Sequence, residues 1–374
     1  MSSALFSPIS LRNVTFDNRI VVAPMCQYAA VDGVVGDWHL MHLGNLAVSG
    51  PGLLIIEASG VEARGRITPG CPGLWNDEQE EAFARVLHFC AQYGNTKMGI
   101  QLAHAGRKAS TRAPFDGGTP IAPDEADGWQ TIGPSALPFN DGWPMPKAMD
   151  EADMAEVKAA FVASTQRAAR LGLDFVELHG AHGYLLSAFL SPLSNQRNDA
   201  FGGSLENRMR FPLEVTAAVR EAWPEDKPLC VRFNGTDWID GAWAVEDSVV
   251  FAKALKDIGC DIVHLSSGGN SADRPPVGPG FPGYQLPASE AIKQQTDMPT
   301  MGVGYINEPA FAEEVIATGR ADMVAMGRGM LYDPRFAWHA AEALGVEASY
   351  PERYMRSEPK TWPNAFATRR DANT

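Results

Sequence analysis

The stretch Phe175-Val176-Glu177-Leu178-His179-Gly180-Ala181-His182-Gly183-Tyr184-Leu185 opens as a short apolar run and turns at once into two imidazoles and a tyrosine. A run this short reads as a strand buried in a parallel sheet, with its chemistry placed at the C-terminal end. Seven further runs have the same form: Ile20–Val22, Leu53–Ile56, Met98–Leu102, Leu229–Phe233, Ile262–Leu265, Thr300–Val303 and Met323–Met326. Apolar residues at three- and four-residue spacing lie between most of them. They predict helices over Glu78–Tyr93, Asp153–Leu171, Leu205–Ala222, Val245–Ile258, Pro287–Gln295 and Pro309–Thr318, most with a Gly or Pro near the end. Eight strand–helix alternations predict a single α/β domain, a (β/α)8 TIM barrel. A doubly wound open sheet is the rival, but it gives no reason for the count to stop at eight.

Two stretches break the rhythm. Residues 109–150, between the third and fourth strands, are rich in Pro, Gly, Asp and Trp, which predicts a capping excursion and not a connector. After residue 345 a tail carries Tyr350-Pro351-Glu352-Arg353-Tyr354-Met355-Arg356. The expected division is a barrel over 1–345 and a tail over 346–374.

The 374 residues hold 31 Lys+Arg against 45 Asp+Glu, a formal charge of −14, with a pI near 5.0. Such an acidic balance argues against nucleic acid as a partner. No apolar stretch approaches the roughly 20 residues of a membrane span. Residues 1–6 have neither the basic nor the apolar region of a signal peptide, so a cytoplasmic protein is expected. Cys26, Cys71, Cys90, Cys230 and Cys260 form no C-x-x-C pair, so no disulfide framework, zinc site or iron–sulfur cluster is expected.

Barrel active sites form at the C-terminal ends of the strands. Here those ends read 24–28, 57–59, 101–104, 179–184, 232–234, 266–268, 302–304 and 326–328, and each is polar or glycine-rich. Barrels often hold a phosphate after strands seven and eight, a placement that suits Gly302, Gly304, Gly327 and Arg328. The alternative is that these glycines only make tight turns. Gln101 and Arg232 suit a polar ring, because an amide both donates and accepts and a guanidinium neutralises a developing anion.

His179-x-x-His182-x-Tyr184 has three readings: metal ligands, a paired clamp on an oxygen, or structural residues. The metal reading lacks a complete ligand set, although Glu177 shares the parity of His179. A clamp with a tyrosine that stays protonated at neutral pH fits better. Glu57 and Glu177 read as buried charges paired with a nearby Arg. Trp38, His39, His42, Trp75 and Trp129 read as packing residues, and Cys71, Cys90, Cys230 and Cys260 as small core hydrophobes.

Four segments together resemble the old yellow enzyme family of flavin-dependent ene-reductases. They are residues 22–28 (Val-Ala-Pro-Met-Cys-Gln-Tyr), 99–108, 177–185, and 191–195 through the Gly202-Gly203-Ser204-Leu205-Glu206-Asn207-Arg208 block. The Pro-Met-Cys order is similar to the family's bacterial class, which includes the xenobiotic reductases. The resemblance runs from about residue 4 to 356. It implies noncovalent FMN, reduced by NADPH or NADH, which reduces the C=C bond of an α,β-unsaturated carbonyl or similar activated alkene.

Carried over residue by residue, the resemblance places Ala23, Pro24, Met25, Cys26 and Ala58 at the flavin ring. Gln101 would meet the pyrimidine edge and Arg232 the N1–C2=O side. Val303, Gly304, Gly327 and Arg328 would hold the phosphate. His179 and His182 would clamp the substrate oxygen, Tyr184 would donate the proton, and Tyr28 would line the pocket. Cys26 would tune the flavin without acting as a nucleophile. Arg356, with Arg353 as the fallback, would reach a neighbouring subunit's site, implying a homodimer or a dimer of dimers. Neither nucleic acid nor membrane is an expected partner. The competing readings are a metal-dependent barrel hydrolase or aldolase using His179 and His182, and a non-catalytic flavin-binding protein.

Overall fold

A computed structural model describes residues 3–272 and 280–362. The hairpin β1 (Ile9–Leu11) and β2 (Val14–Phe16) turns Leu11, Val14 and Phe16 onto the inner core of the barrel, where Phe16 meets Phe175 edge-on at 6.1 Å. The barrel then begins with β3 (Ile20–Val22), α1 (Asp37–Ala47), β4 (Leu53–Gly60), α2 (Asp77–Tyr93) and β5 (Lys97–Ala103). After β5 the excursion carries the short pair β6 (Ile132–Gly133) and β7 (Lys147–Ala148). The chain returns through α3 (Glu151–Arg170) to β8 (Phe175–Gly180), α4 (Leu185–Leu190), α5 (Leu205–Ala222) and β9 (Leu229–Asn234). It closes with α6 (Val245–Asp257), β10 (Ile262–Ser266), α7 (Leu286–Thr296), β11 (Thr300–Gly302), α8 (Pro309–Ala317), β12 (Met323–Met326), α9 (Arg328–Tyr332) and α10 (Phe336–Leu344).

Strands β3, β4, β5, β8, β9, β10, β11 and β12 form a closed parallel barrel, with β12 pairing back onto β3. All eight predicted runs are its strands. The predicted helices are α2, α3 and α5 to α8, and their starts follow the caps. Asn76 accepts from the Gln79 N–H at 3.0 Å and Asp150 from the Asp153 N–H at 2.9 Å, so α2 and α3 begin one and two residues before the apolar periodicity does.

Successive strand residues face opposite ways. Ile20, Val22, Ile100, Leu102, Val176, Leu178, Val231, Phe233, Val263 and Leu265 join the outer core beneath the helices. Val21, Ala23, Leu53, Ile55, Phe175, Cys230, Ile262, Met301 and Val303 fill the barrel interior. Parity then carries Glu57, Gln101, Glu177, His179, Arg232, His264 and Ser266 inward as well, above that plug. Hydrophobic filling at the N-terminal end and polar chemistry at the C-terminal end come from one alternation.

The excursion is fastened to the barrel. Arg66 lies between the Trp75 and Trp129 rings, 5.5 and 5.2 Å from their centroids, and the Trp129 indole donates to the Arg64 carbonyl at 2.9 Å. Arg107, buried, donates to the Leu137 and Pro138 carbonyls. Phe115 sets its ring edge against Tyr28 at 6.0 Å, which brings the excursion to the barrel mouth. No helix among the described residues is long and apolar enough to cross a membrane.

Candidate active site

Register assembles the floor of the site. Gln101 pairs with Glu177 across β5 and β8, His179 with Arg232 across β8 and β9, and His264 with Arg232 across β10 and β9. Glu177, fully buried, accepts from Gln101 Nε2 at 2.7 Å through one oxygen and binds His264 Nδ1 at 2.7 Å through the other. Burial alone would raise its carboxyl, but His264, Arg232 and Gln101 outweigh that and hold it below the usual range. The Arg232 Nε is buried without a hydrogen-bond partner, although its guanidinium lies among groups it influences by charge: Glu177, His179, His182 and Tyr184.

The His-x-x-His-x-Tyr loop follows β8. The His179 ring meets the Tyr184 ring edge-on at 4.8 Å and the His182 ring at 5.1 Å. His182 sits in the left-handed region (φ 62), held by its N–H donating to Asn234 Oδ1 at 3.0 Å and by Nε2 against Ser266 Oγ at 2.6 Å. The next residue must be glycine. At Gly183 (φ 74) a Cβ would lie 2.0 Å from the Gly269 carbonyl oxygen. Burial and the Arg232 charge push both imidazoles well below their ordinary value, so each is neutral. Burial pushes Tyr184 well above its own, so it keeps its proton.

On β3 and β4 the ring-facing candidates cluster. Ala23 and Ala58 are buried, Pro24, Met25 and Cys26 half-buried, and Tyr28 adopts φ 56. A hydrogen bond to Cys71, then burial, raises the Cys26 thiol well above its ordinary value, so it is not a thiolate. At the far rim Gly304 (φ 117) packs on Tyr284 next to the buried Val303, while Gly327 lies against the Met25 side chain. Arg328 is exposed and stands over the Tyr305 ring at 5.3 Å.

Several readings need correction. Among the described residues neither buried glutamate makes a direct ion pair with an arginine, although the Arg232 charge acts on Glu177. Glu57 faces His39 Nε2 at 3.3 Å and accepts the Gln27 N–H at 2.8 Å, and Glu177 takes His264. His39 therefore faces Glu57 and is not packing alone. Trp38 is half exposed and donates to Gln27 Oε1 at 3.1 Å. Cys71 is buried, but its thiol faces Cys26 and lies 3.4 Å from Thr68 Oγ1. In the tail, Arg353 stacks on Tyr93 of its own chain at 5.4 Å, which leaves the expected contact with a neighbouring copy to Arg356, an exposed residue.

Sequence reasoning passed over Lys108, Ser266 and His264. Lys108 Nζ donates to the His182 carbonyl at 2.7 Å and the Gly269 carbonyl at 3.1 Å, and stands 4.4 Å from the Phe139 ring and 5.2 Å from the Tyr184 ring. It fastens the histidine loop to the loop after β10. Its place inside the 99–108 motif was the available signal.

The site fits a ring with a polar edge. A buried guanidinium with an unpartnered Nε, an amide two strands away on the same inward face, and a glycine-lined rim together suit the flavin that the resemblance implies. Among the described residues no group of three or more His, Cys, Asp or Glu could hold a metal ion.

Residues 4–347 match the model of the NADH:flavin oxidoreductase / NADH oxidase family. The chain is similar to an NADPH dehydrogenase of Geobacillus sp. (strain WCH70), 42% identical over 358 residues that cover 95% of this chain and 99% of that one. Among solved structures it is similar to a 2-naphthoyl-CoA reductase in complex with 2-naphthoyl-CoA (25% identity, TM-score 0.81), covering 92% of this chain and 52% of that longer one. It is also similar to morphinone reductase in complex with tetrahydroNAD (26% identity, TM-score 0.73), covering 93% and 92% of the two chains.

Proposed function

The chain belongs to the NADH:flavin oxidoreductase / NADH oxidase family and is an NAD(P)H-dependent flavin oxidoreductase; from that premise we propose that it is an FMN-dependent ene-reductase acting on α,β-unsaturated carbonyls. The observation that carries this reading is the pair of neutral imidazoles, His179 and His182, beside a tyrosine that holds its proton. Bound FMN supplies hydride uptake from NAD(P)H and hydride delivery to the β-carbon of the alkene.

Each residue then has a role. Gln101 would bind the pyrimidine edge of the cofactor, Arg232 would face the side of its ring that gains charge on reduction, and Ala23, Pro24, Met25, Cys26 and Ala58 would flank the ring. Val303, Gly304, Gly327 and Arg328 hold the phosphate. His179 and His182 donate to the substrate oxygen as charge builds there, a contribution on the order of 10²–10³ in rate per donor. The Ser266 contact at His182 Nε2 fixes that ring's orientation. Tyr184 delivers its proton to the α-carbon, and Tyr28, with Phe115 against it, walls the pocket. The tail contributes Arg356 to a second copy of the chain, so the working unit is a homodimer or a dimer of dimers.

The visible spectrum of the purified protein tests this reading. Flavin absorption that bleaches with NADPH and returns with cyclohexenone is the expected result. A yellow protein that does not consume NAD(P)H would make the site a flavin store, and a colourless protein containing zinc would favour the metal-dependent reading.

A further inference from the structure

We propose that Glu177 is a positioning residue that sets both the hydrogen-bonding polarity of the cofactor edge, by fixing the Gln101 amide, and the flavin midpoint potential, by offsetting Arg232. The inference rests on the flavin reading above. It starts from the strand register, which brings Gln101, Glu177, Cys230, Arg232 and His264 into one inward-facing patch across β5, β8, β9 and β10.

A glutamine amide has two ends of nearly equal shape and opposite polarity. Packing alone cannot choose between them, but a hydrogen-bond partner does. Glu177, as an ionised carboxylate, accepts only. Its 2.7 Å contact therefore commits Gln101 Nε2 and leaves the Gln101 carbonyl oxygen as the acceptor presented away from the pair. The pyrimidine edge of a flavin runs acceptor, donor, acceptor, and its central N3–H needs such an oxygen. Turned over, the amide would set donor against donor in a buried site.

Glu177 is itself held. Its second oxygen takes His264 Nδ1 at 2.7 Å, and the Cys230 thiol lies 3.6 Å from the same oxygen. His264 is fully buried and its Nε2 has no hydrogen-bond partner among the described residues, so its side-chain hydrogen bond there goes to this carboxylate. The arrangement spends a buried imidazole on orienting one carboxylate.

The second consequence is electrostatic. The Arg232 guanidinium has an unpartnered buried Nε and would face the ring where negative charge collects on reduction. Glu177 acts on it as a countercharge at low dielectric, where the attraction is strong. Arg232 favours reduced flavin, and Glu177 moderates that preference.

Two variants separate the effects, read by FMN and N3-methyl-FMN binding and by spectroelectrochemical midpoint. Glu177→Gln removes the charge and the selection of the amide end. The at least tenfold preference of the wild type for FMN over its N3-methyl analogue should collapse toward unity. The oxidised–reduced equilibrium should move at least tenfold toward reduced flavin, which is about 30 mV for a two-electron couple. Glu177→Asp keeps the charge but draws it back from Gln101, so discrimination should fall while the midpoint stays. If Glu177→Gln does not fold, the Asp variant carries the orientation test alone. Holo variants with wild-type discrimination and midpoint overturn the inference and leave the flavin reading intact, whereas a wild-type chain that binds no flavin overturns that reading first.

Discussion

Lys108 shows how much one side chain arranges at this site. Burial, then the neighbouring Arg107, pushes its ammonium down to about 7, while two carbonyls and two aromatic rings still hold it in place. The groups around it are His182, Gly269, Phe139, Tyr184 and Arg107. Below about pH 7 the amine carries a charge 5.2 Å from the ring centroid of Tyr184, where it eases the loss of that residue's proton. Above it, the neutral amine keeps its two donors to carbonyls and loses the charge. Reoxidation of reduced enzyme by an enone should therefore slow as pH rises through about 7, in stopped-flow traces at fixed enone. Lys108→Met should be slower throughout and should lack that step. An unchanged step in the variant would assign the titration to another group.

At the scale of elements, two unlike faces make an element easier to read in sequence, although α10, with Phe336, Ala337, Ala340 and Ala341 on its buried face, is not among the predicted helices. The eight strands are short β-branched runs and read correctly, and the six predicted helices have an apolar stripe. Helix α4 is buried on every side and so has no stripe to detect. Helix α1 buries His39 and Gly44 on its inner face, which hides its period. The tail is an element of another kind. Its 3-10 turn Glu352–Ser357 is anchored in its own chain, with Tyr350 on Trp338 at 4.5 Å and Arg335 between Trp338 and Tyr354, leaving Met355 and Arg356 exposed. That geometry leaves Arg356 facing outward, as the proposed contact with a second copy requires. Arg356→Ala should raise KM for enones several-fold with FMN retained, and truncation after Gly345 should also weaken association in light scattering. A fully active monomer of 40.4 kDa would defeat the shared-site proposal.

Across the whole molecule, parity and closure account for the site. The structure brings together Gln101, His179, His182, Tyr184 and Arg232, which the sequence singles out near strand ends, the two histidines and the tyrosine beside glycines. His264 was not legible in sequence, because it sits within Ile262-Val263-His264-Leu265 and its partner is two strands away, a neighbour that only the closed register supplies. Ser266 and Lys108 lie within stretches the sequence singles out, 266–268 and 99–108, but their contacts with the His182 loop come from elements far apart in sequence. In the proposed reaction, hydride enters and leaves without help from Tyr184, and the alkene receives its proton from that residue. Anaerobic stopped-flow measurement of both half-reactions in Tyr184→Phe tests this most directly. Bleaching by NADPH should proceed at the wild-type rate, and reoxidation by cyclohexenone should slow on the order of 10²-fold or more; equal slowing of both half-reactions would rule out Tyr184 as the proton donor.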